Sequence, residues 1–172
     1  LNPIEQTGYL DFARSAAAAG VDGVLTVDLP PEEGHDLVGA LAEHDLDPIW
    51  LIAPTTGIER IQSICDHARG FVYYISLKGV TGAATLDVDS VASHVDAIRQ
   101  ATQLPVGVGF GVRDGADAGR LGQVADAVVV GSAIVSRIAD NAEDLNAMRA
   151  EVGAFTRSLR AGLDGTPLET AS

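Results

Sequence analysis

Apolar and polar positions follow two rhythms along this chain. Five short runs are almost continuously apolar and rich in β-branched residues: 23–30 (GVLTVDLP), 48–54 (PIWLIAP), 71–76 (FVYYIS), 105–110 (PVGVGF) and 126–132 (DAVVVGS). Runs of this length read as strands covered on both faces. Between them apolar residues recur every three or four positions, the rhythm of a helix with one buried face. Ile58, Ile61, Ile64, Cys65 and Ala68 make one stripe; Val88, Val91, Val95 and Ile98 make another. A helix is predicted over 4–20, closed by Gly20, and one over 31–45, opened by Pro31 with acids in its first turn. Shorter patterns at 114–123 and 132–138 and a longer one at 144–162 complete the set.

Strands alternating with helices imply βαβ units and a parallel sheet. Most strand starts lie roughly 20–25 residues apart, as in a short βα repeat. The interval after Ser76 is longer and holds LKGVTGAATLDV, the length of a lid or binding loop. A doubly wound sheet carries its glycine-rich turn after the first strand. Here Gly107, Gly109 and Gly111 stand at the end of the fourth run, and Gly131-Ser132 at the end of the fifth. A (β/α)8 barrel often places a phosphate site in the loops after its last two strands. A barrel needs eight strands and about 250 residues, and five are visible in these 172 residues.

Charge narrows the range of partners. The net charge of −13 argues against nucleic acid and against an anionic membrane. It leaves room for a small anion held locally by backbone N–H groups. The single cysteine, Cys65, provides no disulfide framework, which points to a reducing, cytoplasmic setting. No apolar run is long enough to span a bilayer, and the chain opens on Leu1 rather than Met.

At SLKGVTGA (76–83), GFGV (109–112) and GSAIV (131–135) the sequence resembles the tryptophan synthase α-chain family. LNPIEQTGYLDF at the start is similar to the family's segment after its third strand, and DLPPEE (28–33) to the turn after its fourth. The resemblance implies an α/β fold: the C-terminal part, strands four to eight, of a TIM (β/α)8 barrel. Residues 1–161 then form one incomplete barrel domain and 162–172 a flexible tail. The implied activity is retro-aldol cleavage of indole-3-glycerol phosphate to indole and glyceraldehyde 3-phosphate. The implied partner is the PLP-dependent β subunit in an αβ heterotetramer. PLP belongs to that subunit, and this chain is expected to carry neither a cofactor nor a metal.

By the same resemblance the substrate phosphate is held by backbone N–H groups of Gly82, Gly111, Gly131 and Ser132, the last adding its hydroxyl. A missing Cβ lets backbone approach a ligand, and a helix opening at Ser132 turns its positive end toward an anion. Leu25, Val27, Leu51 and Phe110 match positions lining the indole pocket. Tyr73 matches an inward-facing auxiliary residue near the scissile region, and Thr81 a lid threonine. Tyr73 and Tyr74 are adjacent and must face opposite ways. Lys78 reads as a solvated loop charge. Asp28 reads as structural, beside its turn, and His35, His44, His67 and His94 as surface residues without metal-ligand spacing.

The family's proton-transfer glutamate and the aspartate of its PFSDP loop have no counterpart in these 172 residues. The chain alone is therefore expected to be inactive, and its end strands, rich in Val and Leu, to promote self-association. Two other readings compete: a barrel isomerase acting on a phosphorylated sugar, and a non-catalytic half-barrel that binds a phosphate ester or a partner. The β-subunit docking face is expected near Asn2, Gln6 and the Pro30–Pro31 turn.

Overall fold

Glycines decide where the predicted helices break. In the computed structural model, which describes residues 1–75, 87–109 and 111–165, the helix expected over 4–20 is two helices, α1 (Asn2–Thr7) and α2 (Tyr9–Ala18). Gly8 between them has φ +86°, a conformation that other residues rarely adopt. The helix expected over 31–45 is also divided. A 3-10 turn (Pro31–Glu33) precedes α3 (His35–Ala42). Gly34 joins the two, and a Cβ there would stand 2.8 Å from the ring of Trp50. The remaining elements are β1 (Gly23–Leu25), β2 (Asp47–Ile52), α4 (Ile58–His67), β3 (Val72–Ile75), α5 (Val88–Ala101), β4 (Val106–Gly109), α6 (Gly115–Gly122), β5 (Ala127–Val129), α7 (Ser132–Asp140) and α8 (Leu145–Asp164).

The chain divides into two compact units, Leu1–Tyr74 with Ala97–Val106, and Ile75–Asp96 with Gly107–Ser172. In the first, β1 pairs parallel with β2, Leu25 opposite Ile49. β2 pairs parallel with β3, Leu51 opposite Tyr73. The Val72 N–H donates to the Pro105 carbonyl at 2.9 Å. Partners in a parallel ladder share a face and successive residues alternate. Trp50, Ile52, Val72 and Tyr74 therefore lie on one face, where all four are buried. The Trp50 Nε1–H donates to the His67 carbonyl at the end of α4, at 3.1 Å. α4 buries Ile61, Ile64 and Cys65. Ile58, expected on the same stripe, is exposed, because as the first helical residue it precedes the turns that pack.

In the second unit β4 pairs parallel with β5, Gly107 opposite Ala127 and Gly109 opposite Val129. α6 and α8 cross in backbone contact. A Cβ on Gly119 would stand 2.6 Å from the Gly162 carbonyl oxygen, and one on Gly115 or Gly162 would overlap the facing backbone outright. α8 starts at Asp144, whose carboxylate accepts from the N–H groups of Asn146 (2.9 Å) and Ala147 (3.0 Å). It buries Phe155 and Leu159, and the Arg137 guanidinium of α7 lies 3.5 Å over the Phe155 ring. α8 ends at Gly165, φ +64°, so it includes residues 162–164 that were expected in the tail.

Replacing Gly162 with Ala should destabilise the chain by about 1–3 kcal/mol, because backbone rather than a movable side chain occupies the space. Gly39→Ala is the control. Its Cβ meets nothing within 4 Å in α3, and removal of a helical glycine should stabilise by roughly 0.5–1 kcal/mol. Urea denaturation of the two variants beside the parent chain measures both; equal midpoints for Gly162→Ala and parent would reject the crossing as drawn.

Candidate functional site

The ladder between β4 and β5 brings two of the predicted glycines to equivalent places. Gly109 stands opposite Val129, so Gly111 and Gly131 each lie two residues past a matched pair, at the same end of parallel strands. Gly111 has φ +66° and is exposed, so its backbone conformation alone accounts for glycine. Gly131 differs. Its φ is −111°, outside the left-handed region, and a Cβ there would meet no atom within 4 Å. Neither a left-handed φ nor packing within the described residues calls for glycine at 131. Gly107 and Gly109 are buried within β4.

Gly131 is also the N-cap of α7, with no side chain to cap the helix, and the first turn carries no acid. Its carbonyl accepts from Ile134 (2.9 Å) and Val135 (3.1 Å). Ser132, the first helical residue, is exposed. α6 and α8 in the same unit start differently: Asp114 and Asp144 fill the cap positions and accept from first-turn N–H groups. An aspartate cap competes with an external anion for those donors, whereas a glycine cap leaves them available.

In the first unit, Leu25, Ile49, Leu51 and Tyr73 share the face opposite Trp50 and Tyr74. Leu51 and Tyr73, both expected at the site, are cross-strand neighbours there, and both are half-buried. Burial pushes the Tyr73 hydroxyl pKa up, so it stays a neutral donor through the physiological range. Leu25 is exposed, and Val27, two residues beyond β1, is 79% exposed. Gly82, Thr81, Phe110 and Lys78 lie outside the described residues. Among the described residues no cluster of three or more His, Cys, Asp or Glu side chains is arranged to hold a metal ion, and no helix is long and apolar enough to cross a membrane.

One residue that the sequence pattern did not single out is Asp117, on α6. It is 1% exposed. Its Oδ2 accepts from the Arg113 Nε–H (2.9 Å) and the Arg113 backbone N–H (3.2 Å), and its Oδ1 from the Arg120 guanidinium (2.5 Å). Its own N–H donates to Asp114 Oδ1 at 2.9 Å. The Arg113 side chain foremost, then Arg120 and the backbone N–H, hold its pKa below the usual carboxylate range against the opposing effect of burial. The visible signal was RDGAD: an arginine four residues before an aspartate, and a second aspartate three residues before it.

Known proteins resemble this chain over nearly its whole length. Residues 1–164 match the family model described as tryptophan synthase alpha chain. The tryptophan synthase alpha chain of Thioalkalivibrio sulfidiphilus is 60% identical over 164 residues, 95% of this chain and 62% of that protein. That of Alkalilimnicola ehrlichii is 56% identical over all 172 residues, 63% of its own length. The crystal structure of tryptophan synthase subunit alpha from Legionella pneumophila str. Paris superposes with a TM-score of 0.83 at 36% identity, covering 95% of this chain and 60% of that one. A structure of Mycobacterium tuberculosis tryptophan synthase gives 0.81 at 41% identity, covering 94% and 59%. The chain thus spans about three fifths of the length of the relatives it matches.

Asp117 makes stability depend on pH in a defined direction. Its native pKa is lowered, so the unfolded chain binds the proton more readily. Its contribution is complete above the unfolded value of about 3.9 and disappears as pH falls through the lower native value. The melting temperature of Asp117→Asn should therefore lie below that of the parent at pH 7, and the gap should narrow as pH drops beneath about 4. Thermal scans by circular dichroism measure it; a gap that widens on acidification would contradict the assignment.

Proposed function

The chain belongs to the tryptophan synthase α-chain family and carries part of its (β/α)8 barrel, and on that premise we propose that it supplies the phosphate-binding part of a lyase of tryptophan biosynthesis. The substrate is indole-3-glycerol phosphate, cleaved by a retro-aldol step to indole and glyceraldehyde 3-phosphate. The observation that carries this reading is Gly131: an uncapped helix start, free of acids, at a position where neither φ nor packing among the described residues asks for glycine. A phosphate needs several converging donors and a close backbone approach. The N–H groups of Gly111 and Gly131, the N–H and hydroxyl of Ser132, and the Gly82 N–H from the long loop make up that set.

The apolar row of Leu25, Leu51 and Tyr73 on one face of β1–β3 suits the flat indole ring. Tyr73 serves as a neutral hydrogen-bond donor and Thr81 as a lid residue. Carbon–carbon cleavage also needs a carboxylate to move protons, and the motifs that carry it in the family do not occur in these residues. Binding phosphate without that group holds the substrate without lowering its barrier. We assign no cofactor to this chain; PLP belongs to the β subunit that receives the indole. The setting is cytoplasmic.

The β subunit docks beside Asn2, Gln6 and the Pro30–Pro31 turn. Asn2 and Gln6 are exposed on α1. The turn is held from below: Pro31 is buried, Gly34 abuts Trp50, and Glu32 is ion-paired with Arg60 of α4. A surface held this way meets a partner with little rearrangement.

Gly131→Val tests the site. In a protein of the relatives' full length, KM for indole-3-glycerol phosphate should rise about tenfold or more, equal to about 1.4 kcal/mol, while the urea midpoint moves little. An unchanged KM would remove Gly131 from the site. The 172-residue chain alone should bind inorganic phosphate and yield no indole; measurable turnover by it would refute the division of roles proposed here. For docking, Asn2→Arg together with Pro30→Glu should abolish co-purification of the cognate β subunit, and full retention would move the interface elsewhere.

A further inference from the structure

We infer that Asp117 is a positioning residue for the anion site: its buried carboxylate holds the turn after Gly111 and so restrains that glycine from its C-terminal side. This rests on the phosphate-site reading given above. The loop has two anchors. Val112 is buried, and the Arg113 backbone N–H is bound by Asp117 Oδ2 at 3.2 Å. Gly111, φ +66°, precedes them and is exposed. With the following residues held at two consecutive positions, the orientation of the peptide at Gly111 is restricted from one side.

A packing role alone does not account for this carboxylate. A buried charge is costly, and an apolar residue on the inner face of α6 would fill the space with less penalty. Ala118 and Leu121 on the same helix are both fully buried. What an apolar residue cannot do is accept from a main-chain N–H and two guanidinium groups together. Arg113 and Arg120 have exposed side chains whose charged ends meet at Asp117. The carboxylate thus also draws two cations to α6, and the anion is left to be read by main-chain donors. Asp114 closes the arrangement by capping α6 and accepting from the Asp117 N–H.

The test uses a protein of the relatives' full length, labelled with 15N, as parent, Asp117→Ala and Asp117→Asn, at a temperature where far-ultraviolet circular dichroism shows each to be folded. Hydrogen exchange at the Arg113 amide reads the loop. Titration with inorganic phosphate, followed at the Gly111, Gly131 and Ser132 amides, reads the site. Asp117→Ala should lose Arg113 protection and weaken phosphate by at least about threefold. Asp117→Asn should lose less of both, since its amide oxygen can still accept from the Arg113 N–H. A purely structural role would lower the melting temperature of both variants and leave exchange and affinity unchanged in the folded state; that result overturns the inference. If phosphate shifts none of the three amides in the parent, the phosphate-site reading fails, and Arg113 exchange alone decides whether Asp117 fixes the loop.

Discussion

The parallel register of β4 with β5 is the constraint on which the candidate site depends. Parallel strands place their C-terminal ends together, and a helical crossover must follow each one. Once Gly109 stands opposite Val129, the residues two places on, Gly111 and Gly131, leave their strands at the same level. A slip of one residue would turn every side chain of β5 to the other face and separate the two glycines. The site is therefore a consequence of strand pairing first and of glycine chemistry second.

The two glycines illustrate how similar sequence signals separate in the folded chain. Gly111 is required by its own backbone, whatever it binds. Gly131 is required by nothing within its described surroundings. Sequence alone ranks them equally, since GFGV and GSAIV carry the same residue at the end of the same kind of run. The five strands and the general helix placement were legible because hydrophobic periodicity is a local property of the chain. Val91, Val95 and Ile98 illustrate this: all three are buried on the predicted stripe of α5.

What was not legible depended on distant partners. Gly34 must be glycine because Trp50, sixteen positions on, lies against it. Gly115, Gly119 and Gly162 read as weak points in two helices, yet they are what allows α6 and α8 to touch backbone to backbone. Helix propensity counts each of them as a loss of about 1 kcal/mol relative to Ala, and the close crossing reverses that judgement. Ile58 shows the opposite error. Its spacing fits the stripe, but as the first helical residue it is left exposed. Gly8 was readable in principle, since a glycine inside a helical pattern can mark a break as well as a tolerated defect.

Electrostatics at the site run against the charge of the whole chain. A net charge of −13 repels an anion at long range, but exposed charges farther away than a Debye length of about 8 Å are largely screened at physiological salt. The outcome is then decided by what lies within a few ångströms. There the first turn of α7 has no acid and no side-chain cap. Asp114 and Asp144 stand at two other helix starts of this unit, capping α6 and α8. Arg113 and Arg120 are both directed to Asp117. Recognition by main-chain donors has a physical merit over recognition by arginine. Amide groups at a helix start are already oriented, so binding orders few side chains and loses little entropy. A flexible guanidinium would add attraction and also admit other anions that fit less well. For selecting one phosphate ester, a rigid, shape-dependent set of weak donors serves an acidic surface better than a strong, permissive charge.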